Sequence, residues 1–150
     1  SGTGIEHSGS SIMKVEIVSA EREIFSGLAE MIFAPAVEGE IGVAPGHAPL
    51  LTLLGPGEVR VKISEVEEAS FYISGGMIEI LPRMVTVLSD TAERAEDLDE
   101  AAVQEAREAA EKMLEEGGGA AMDYAKARAQ LAETAAQIRA IQRLRRRTGR

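Results

Sequence analysis

The groups in this chain that could do chemistry are few: two histidines, 25 carboxylates and no cysteine among 150 residues. His7 falls in residues 1–11, a Gly/Ser/Thr-rich opening that reads as padding left by cloning, with Met13 the expected native start. His47 stands in the run Glu38-Gly-Glu-Ile-Gly-Val-Ala-Pro-Gly-His-Ala-Pro-Leu-Leu51, with no serine and carboxylate that can be grouped around it. A lone loop histidine is more simply structural than a general base, which needs an oriented partner. Carboxylates crowd residues 97–116, where a solvated helix face accounts for them better than acid–base work. The lack of cysteine removes thiol catalysis, disulfides and cysteine-ligated zinc, and one histidine among scattered acids has no metal-ligand spacing. No Gly-x-x-x-x-Gly-Lys-Ser/Thr loop is present to cradle phosphate. Gly75 and Gly76, between strand-like runs, mark a bulge or a close backbone contact instead. No catalytic residue, metal or cofactor is expected.

Composition narrows the partners. A hydrophobic content of 45% suffices for a packed core, while 3% aromatics and no Trp argue against a stacking surface for nucleic acid. The net charge of -9 opposes nucleic acid and anionic membrane as general partners, although one basic segment exists. No apolar run is long enough to cross a bilayer and no secretory pattern opens the chain, so a soluble protein with no direct membrane insertion is expected.

The run from Glu38 to Leu51 is the stretch around which the rest is organised. Its glycines and prolines forbid a helix or a long regular strand, and Leu50, Leu51, Leu53 and Leu54 offer this rigid loop an apolar anchor. Around it lie short runs of period two. Met13, Val15 and Ile17 alternate with Lys14 and Glu16; two more runs end at Gly27 and Pro35. Residues 57–64 place Val59, Val61 and Ile63 inward and Glu58, Arg60 and Lys62 outward. Residues 71–73, 77–81 and 84–88 complete the set, with hairpin turns at 64–69 and 81–83. Many short strands with frequent Gly/Pro punctuation predict a β-sandwich or small barrel over residues 12–96.

The period changes in residues 97–150. Asp97 with Glu100 has capping-box spacing, and residues 101–116 are rich in helix formers until Gly117-Gly118-Gly119 stops them. A second helix is predicted from about Asp123 to Arg147, with Tyr124, Leu131 and Ile138, and Ala127, Thr134 and Ile141, on a narrow seam. The glycine connection makes the two helices antiparallel neighbours. The fold class expected is therefore α+β: an antiparallel β-sandwich followed by an antiparallel two-helix hairpin. Residues 96–116 carry nine acids and two bases, and residues 123–150 eight bases and two acids. Each helix suits the other, yet exposed ion pairs contribute only about 0 to 1 kcal/mol and alanine faces bury little area. A marginal hairpin that can open is expected.

Several words of the sequence together resemble the epsilon subunit of bacterial and chloroplast F-type ATP synthases. They are Val18-Ser-Ala-Glu21, Phe25-Ser-Gly27, Glu38-Gly-Glu-Ile-Gly42, Pro45-Gly-His-Ala-Pro-Leu-Leu51, Ser74-Gly-Gly-Met-Ile-Glu79, Val85-Thr-Val-Leu-Ser-Asp90-Thr-Ala92, Asp97-Leu-Asp-Glu-Ala101 and Asp123-Tyr-Ala125. The resemblance implies a non-catalytic rotor subunit, peripheral on the cytoplasmic face of the bacterial inner membrane. Its sandwich would join the gamma subunit to the c-ring, and its helices would reach the alpha/beta catalytic head and inhibit ATP hydrolysis. Carried over by position, Glu38, Gly39, Glu40, Ile41 and Gly42 would touch the c-ring, and Ser19 and His47 the gamma subunit. Arg128, Arg139, Arg143, Arg145, Arg146 and Arg147 would form the inhibitory helix, or simply a solvated helix end favoured by its dipole. Some relatives bind ATP through an Ile/Leu-Asp-x-x-Arg-Ala motif. Here Leu98 and Asp99 match, but Ala102 and Val103 stand at the Arg and Ala positions. Without the arginine fork, weak or no ATP binding is expected. The readings weighed against this one are a generic β-sandwich binding module with a helical dimerisation tail, which predicts a homodimer through Leu131, Ile138 and Ile141, and an enzyme, for which no site is offered.

Overall fold

The computed structural model describes residues 12–117 and 121–148, apart from the side chains of residues 147 and 148. The padding expected at 1–11 and the glycines at 118 and 119 lie outside those residues. The described residues fall into two compact units that divide between Arg94 and Ala95.

The first unit holds ten strands: β1 (Met13–Ser19), β2 (Glu23–Ala29), β3 (Met31–Ala36), β4 (Gly39–Val43), β5 (Leu50–Leu54), β6 (Gly57–Lys62), β7 (Glu68–Ile73), β8 (Gly76–Leu81), β9 (Met84–Ser89) and β10 (Ala92–Arg94). They hydrogen-bond in the order β10-β7-β6-β3-β5-β8-β9-β1-β2, with β4 on β3. All pairs are antiparallel except β1 with β9, which is parallel. The pivot is β3. On one edge it carries β4; along the other, Met31, Ile32 and Phe33 pair with β6, and Ala36 pairs with Leu54 of β5. A strand that serves two neighbours on one edge is a corner where one layer passes into the next.

Between the layers lies an aliphatic core. Val15, Ile17, Ile78, Ile80, Val85 and Val87 come from one layer, and Ile32, Val43, Val59, Val61, Phe71 and Ile73 from the other. Val59 and Val61 point inward as their alternation predicts, while Ile63 lies beyond the end of β6 and is partly buried. The glycine pair is a close backbone contact: Gly76 sits at φ 148°, and a Cβ there would lie 2.0 Å from the Leu88 carbonyl oxygen.

Four expectations need correction. Gly27 and Pro35 do not end their strands: Gly27 pairs with Val15 inside β2, and Pro35 pairs with Glu40 inside β3. Proline is tolerated there because its carbonyl, which accepts from Gly55 N, is the only group it needs on that edge. The stretch from Glu38 is not all loop, since β4 occupies Gly39–Val43 as a short strand. The leucines are not an anchor. Leu54 is buried, but Leu51 and Leu53 are 61% and 55% exposed, because alternate residues of β5 face away from the core. Strands β4, β5 and β10 had no clear period in the sequence.

The second unit opens with a 3-10 turn, Ala95–Asp97, followed by α1 (Glu100–Glu116) and α2 (Ala121–Thr148). The 3-10 turn displaces the expected cap from Asp97 to Asp99, whose carboxylate accepts from Ala102 N at 3.2 Å. Gly117 closes α1 in the left-handed conformation with φ 60° and donates to the Met113 carbonyl. Helix α2 starts at Ala121 rather than Asp123. Ala127, Thr134, Ile138 and Ile141 of the expected seam are buried, Leu131 is half-buried, and Tyr124 is exposed. Tyr124 lies in the opening turn of α2, where the buried stripe has not yet begun. An ion pair between Glu100 of α1 and Arg145 of α2 joins the first turn of one helix to the far end of the other, which makes the pair antiparallel.

Candidate functional site

The sequence pointed to four places, and they are distinct in the structure. The first is the β3–β4 hairpin. Glu38 lies in the turn, Gly39 has φ 135°, Glu40 is exposed, and Ile41 packs partly against the core. Glu40 accepts from Nη2 of Arg60, at 3.3 Å from each carboxylate oxygen. The guanidinium carbon of Arg60 lies 4.3 Å from the centroid of the Phe33 ring. Phe33 pairs with Gly42 on one side and Arg60 on the other, so the glycine leaves the ring room.

Ser19 and His47 define the second place. Ser19 Oγ accepts from the backbone N–H groups of Glu21 and Arg22 and donates to the Arg22 carbonyl, closing the β1–β2 turn. His47 is exposed, with Nδ1 at 2.8 Å from the Ala48 carbonyl, and neighbouring Gly46 donates to the Pro82 carbonyl. The two do not come together. Ser19 pairs with Ser89, at the end of β9 opposite the Pro82-Arg83 turn that the His47 loop touches. They mark opposite ends of one layer, roughly 17 Å of strand apart at about 3.3 Å per residue.

Between those ends the outer face of the layer carries an apolar row beside a polar one made of Glu79, Thr86 and Glu16. Leu53, Met77, Leu88 and Val18 stand side by side across β5, β8, β9 and β1, all directed away from the core. Leu88 is 45% exposed, and Leu51, Leu81 and Leu28 add exposed apolar surface. A depression of about 290 Å³, lined by Val18, Ser19, Gly76, Met77, Leu88 and Ser89, indents this face beside Ser19. Sequence reasoning missed the row. Its signal was the excess of leucine in β5, four in five positions, which reads equally as an inward anchor until the strand partners are known.

The third place is the arginine series of α2. At about 100° per residue, Arg128, Arg139, Arg143 and Arg146 fall within about 60° of one another around the helix. Arg128, Arg139 and Arg146 are exposed and Arg143 is half-buried. Arg145 is turned off this stripe and pairs with Glu100, while the side chain of Arg147 lies outside the described residues.

The fourth is the first turn of α1. Asp99 is occupied in capping, Ala102 is exposed, and Val103 is buried. A cavity of about 380 Å³ lies nearby, lined by Leu98, Glu96, Glu100, Ile141, Leu144 and Arg145. Its two glutamates disfavour a polyphosphate, and its one arginine is already paired. Among the described residues no cluster of His, Cys, Asp or Glu is spaced for a metal ion, and no helix is long and apolar enough to cross a membrane.

Comparison with known proteins agrees along nearly the whole chain. The family model described as "ATP synthase, Delta/Epsilon chain, beta-sandwich domain" matches residues 12–95, and "ATP synthase, Delta/Epsilon chain, long alpha-helix domain" matches residues 96–142. The ATP synthase epsilon chain of Nitrosococcus oceani is 56% identical over 137 residues, covering 91% of this chain and 97% of that one. ATP synthase epsilon chain 1 of Methylococcus capsulatus is 59% identical over 133 residues, covering 89% and 94% respectively. Among solved structures, a chain in the cryo-EM structure of the Euglena gracilis mitochondrial ATP synthase (OSCP/F1/c-ring, rotational state 1) superposes with a TM-score of 0.79 at 20% identity. That match covers 87% of this chain and 82% of the other, and it speaks for the fold alone.

Proposed function

This chain belongs to the ATP synthase delta/epsilon chain family, and from that premise we propose that it is a non-catalytic rotor subunit of an F-type ATP synthase, linking the gamma subunit to the c-ring through its sandwich and restraining ATP hydrolysis through its helices. The observation that carries the reading is the outward apolar row Leu53, Met77, Leu88 and Val18, continuous across four strands. An apolar face on a rigid scaffold is what a permanent protein partner covers. Ser19 and His47, at its two ends, fit a gamma contact that spans the face rather than a single point. The Glu38 to Gly42 hairpin is the part offered to the c-ring, with Glu40 as its exposed acceptor. Helix α2, with its stripe of Arg128, Arg139, Arg143 and Arg146, suits an acidic groove on the alpha/beta head. Such a subunit sits at the membrane periphery, on the cytoplasmic face in a bacterium. With Ala102 where the arginine of the nucleotide motif would stand, regulation proceeds without tight ATP binding.

Replacing Leu88 by Lys tests the reading directly. The side chain lies outside the core, so the melting temperature of the full chain should hold, while affinity for the gamma subunit should fall at least about tenfold, as for a buried apolar anchor. Unchanged affinity in a pull-down or titration would remove this face from the interface.

A further inference from the structure

We propose that Arg60 is a positioning residue for Glu40, fixing the carboxylate that the β3–β4 hairpin offers and thereby setting the strength of the c-ring contact. The inference rests on the reading of that hairpin given above.

Three strands build the arrangement. Arg60 on β6 faces Phe33 on β3, and Phe33 faces Gly42 on β4. A Cβ at position 42 would come within 3.1 Å of the Phe33 ring and 3.0 Å of the Met31 methyl, so glycine keeps the ring flat across the hairpin. The ring is a shelf for the guanidinium, whose carbon lies 4.3 Å from the centroid. From that shelf Nη2 reaches both oxygens of Glu40 at 3.3 Å.

Burial gives the pair its direction. The side chain of Arg60 is 17% exposed and that of Glu40 is 53% exposed, so the arginine is the fixed partner and the carboxylate the presented one. Arg60 Nε is buried with no hydrogen-bond partner among the described residues, and its place over Phe33 is held by stacking and by Glu40. One donor shared between two oxygens leaves the outer lone pairs of the carboxylate free. An ionised carboxylate only accepts, so the matching partner surface carries hydrogen-bond donors. Left alone, a glutamate on an exposed hairpin would lose rotamer freedom on binding; Arg60 removes much of that freedom beforehand.

The test is a double-mutant cycle on the full chain, with affinity for detergent-solubilised c-ring carrying the gamma subunit as the readout. Arg60→Met should weaken binding about fivefold, in keeping with loss of an exposed ion pair and its stacking, and Arg60→Lys should restore part of it. In the Glu40→Gln background, Arg60→Met should cause no further loss, an outcome that general damage to the sandwich would not produce. Additive losses, or no loss from Arg60→Met while Glu40→Gln still weakens binding, would overturn the positioning role alone. If Glu40→Gln itself leaves affinity for the c-ring unchanged, the hairpin is not the contact, and the reading and this inference fall together.

Discussion

Packing in the sandwich relies on branched and aromatic side chains, whereas the helical unit buries mostly small ones. The sandwich core is mainly Val and Ile from both layers, with Phe71, Tyr72 and Met13 also enclosed. In the helical unit the buried positions are Ala95, Val103, Ala110, Ala127, Thr134, Ala136, Ile138, Ala140 and Ile141. Full burial of a Val or Ile is worth about 1.5 to 3 kcal/mol, against roughly 0.8 for a single methyl-sized group. Polar links follow the same division. The sandwich pairs ten strands through backbone hydrogen bonds, while the two helices are joined by an exposed ion pair, Arg145 with Glu100. Less packing free energy therefore holds the helical unit together than holds the sandwich.

Glycine offers the sharpest way to break this comparison. Gly76→Ala would place a Cβ against the Leu88 carbonyl at a φ that L-residues avoid, and should cost roughly 4 kcal/mol in denaturant unfolding of the full chain. Gly117→Ala, also at positive φ but with nothing within 4 Å of its Cβ, should cost only about 1 kcal/mol, seen as fraying of α1. Equal costs would mean that the two regions are packed alike.

Capping gives a smaller effect. Asp99→Ala should destabilise α1 by about 1 kcal/mol, measured by helical circular dichroism, and Asp97→Ala by much less. The reverse order would restore the cap to Asp97. Smallest of all is the ion pair. Arg145→Ala, or high salt, should weaken the hairpin by less than about 1 kcal/mol, speeding hydrogen exchange in α1 and α2 while β8 and β9 stay protected. Equal acceleration in the strands would show that the two regions open together.

What was legible in the sequence follows from how local its causes are. The alternation of Val59 and Val61 with Arg60 and Lys62, and the change to helical composition beyond Glu96, are periodic signals carried by neighbouring residues. Strand β5 was illegible because four leucines in five positions have no period, so only pairing with β8 reveals that Leu51 and Leu53 face outward. The cap shifted to Asp99 because the acids at 97 and 99 are equivalent until the 3-10 turn selects one. At the candidate site, Glu40 came from the family resemblance, as one residue of a glycine-rich loop, and neither its exposure nor the hairpin that carries it was legible. Arg60 was not legible either, since its tie to Glu40 spans twenty residues and depends on Phe33 lying between them.

The measurement that bears most directly on the division of labour is ATP hydrolysis by a synthase head of alpha, beta and gamma subunits. Hydrolysis would be followed while the full chain, or a version ending at Glu96, is added. Both should bind, and only the full chain should inhibit. Inhibition by the shortened chain would contradict the account, because it would place regulation in the sandwich; failure of either to bind would contradict the rotor reading itself.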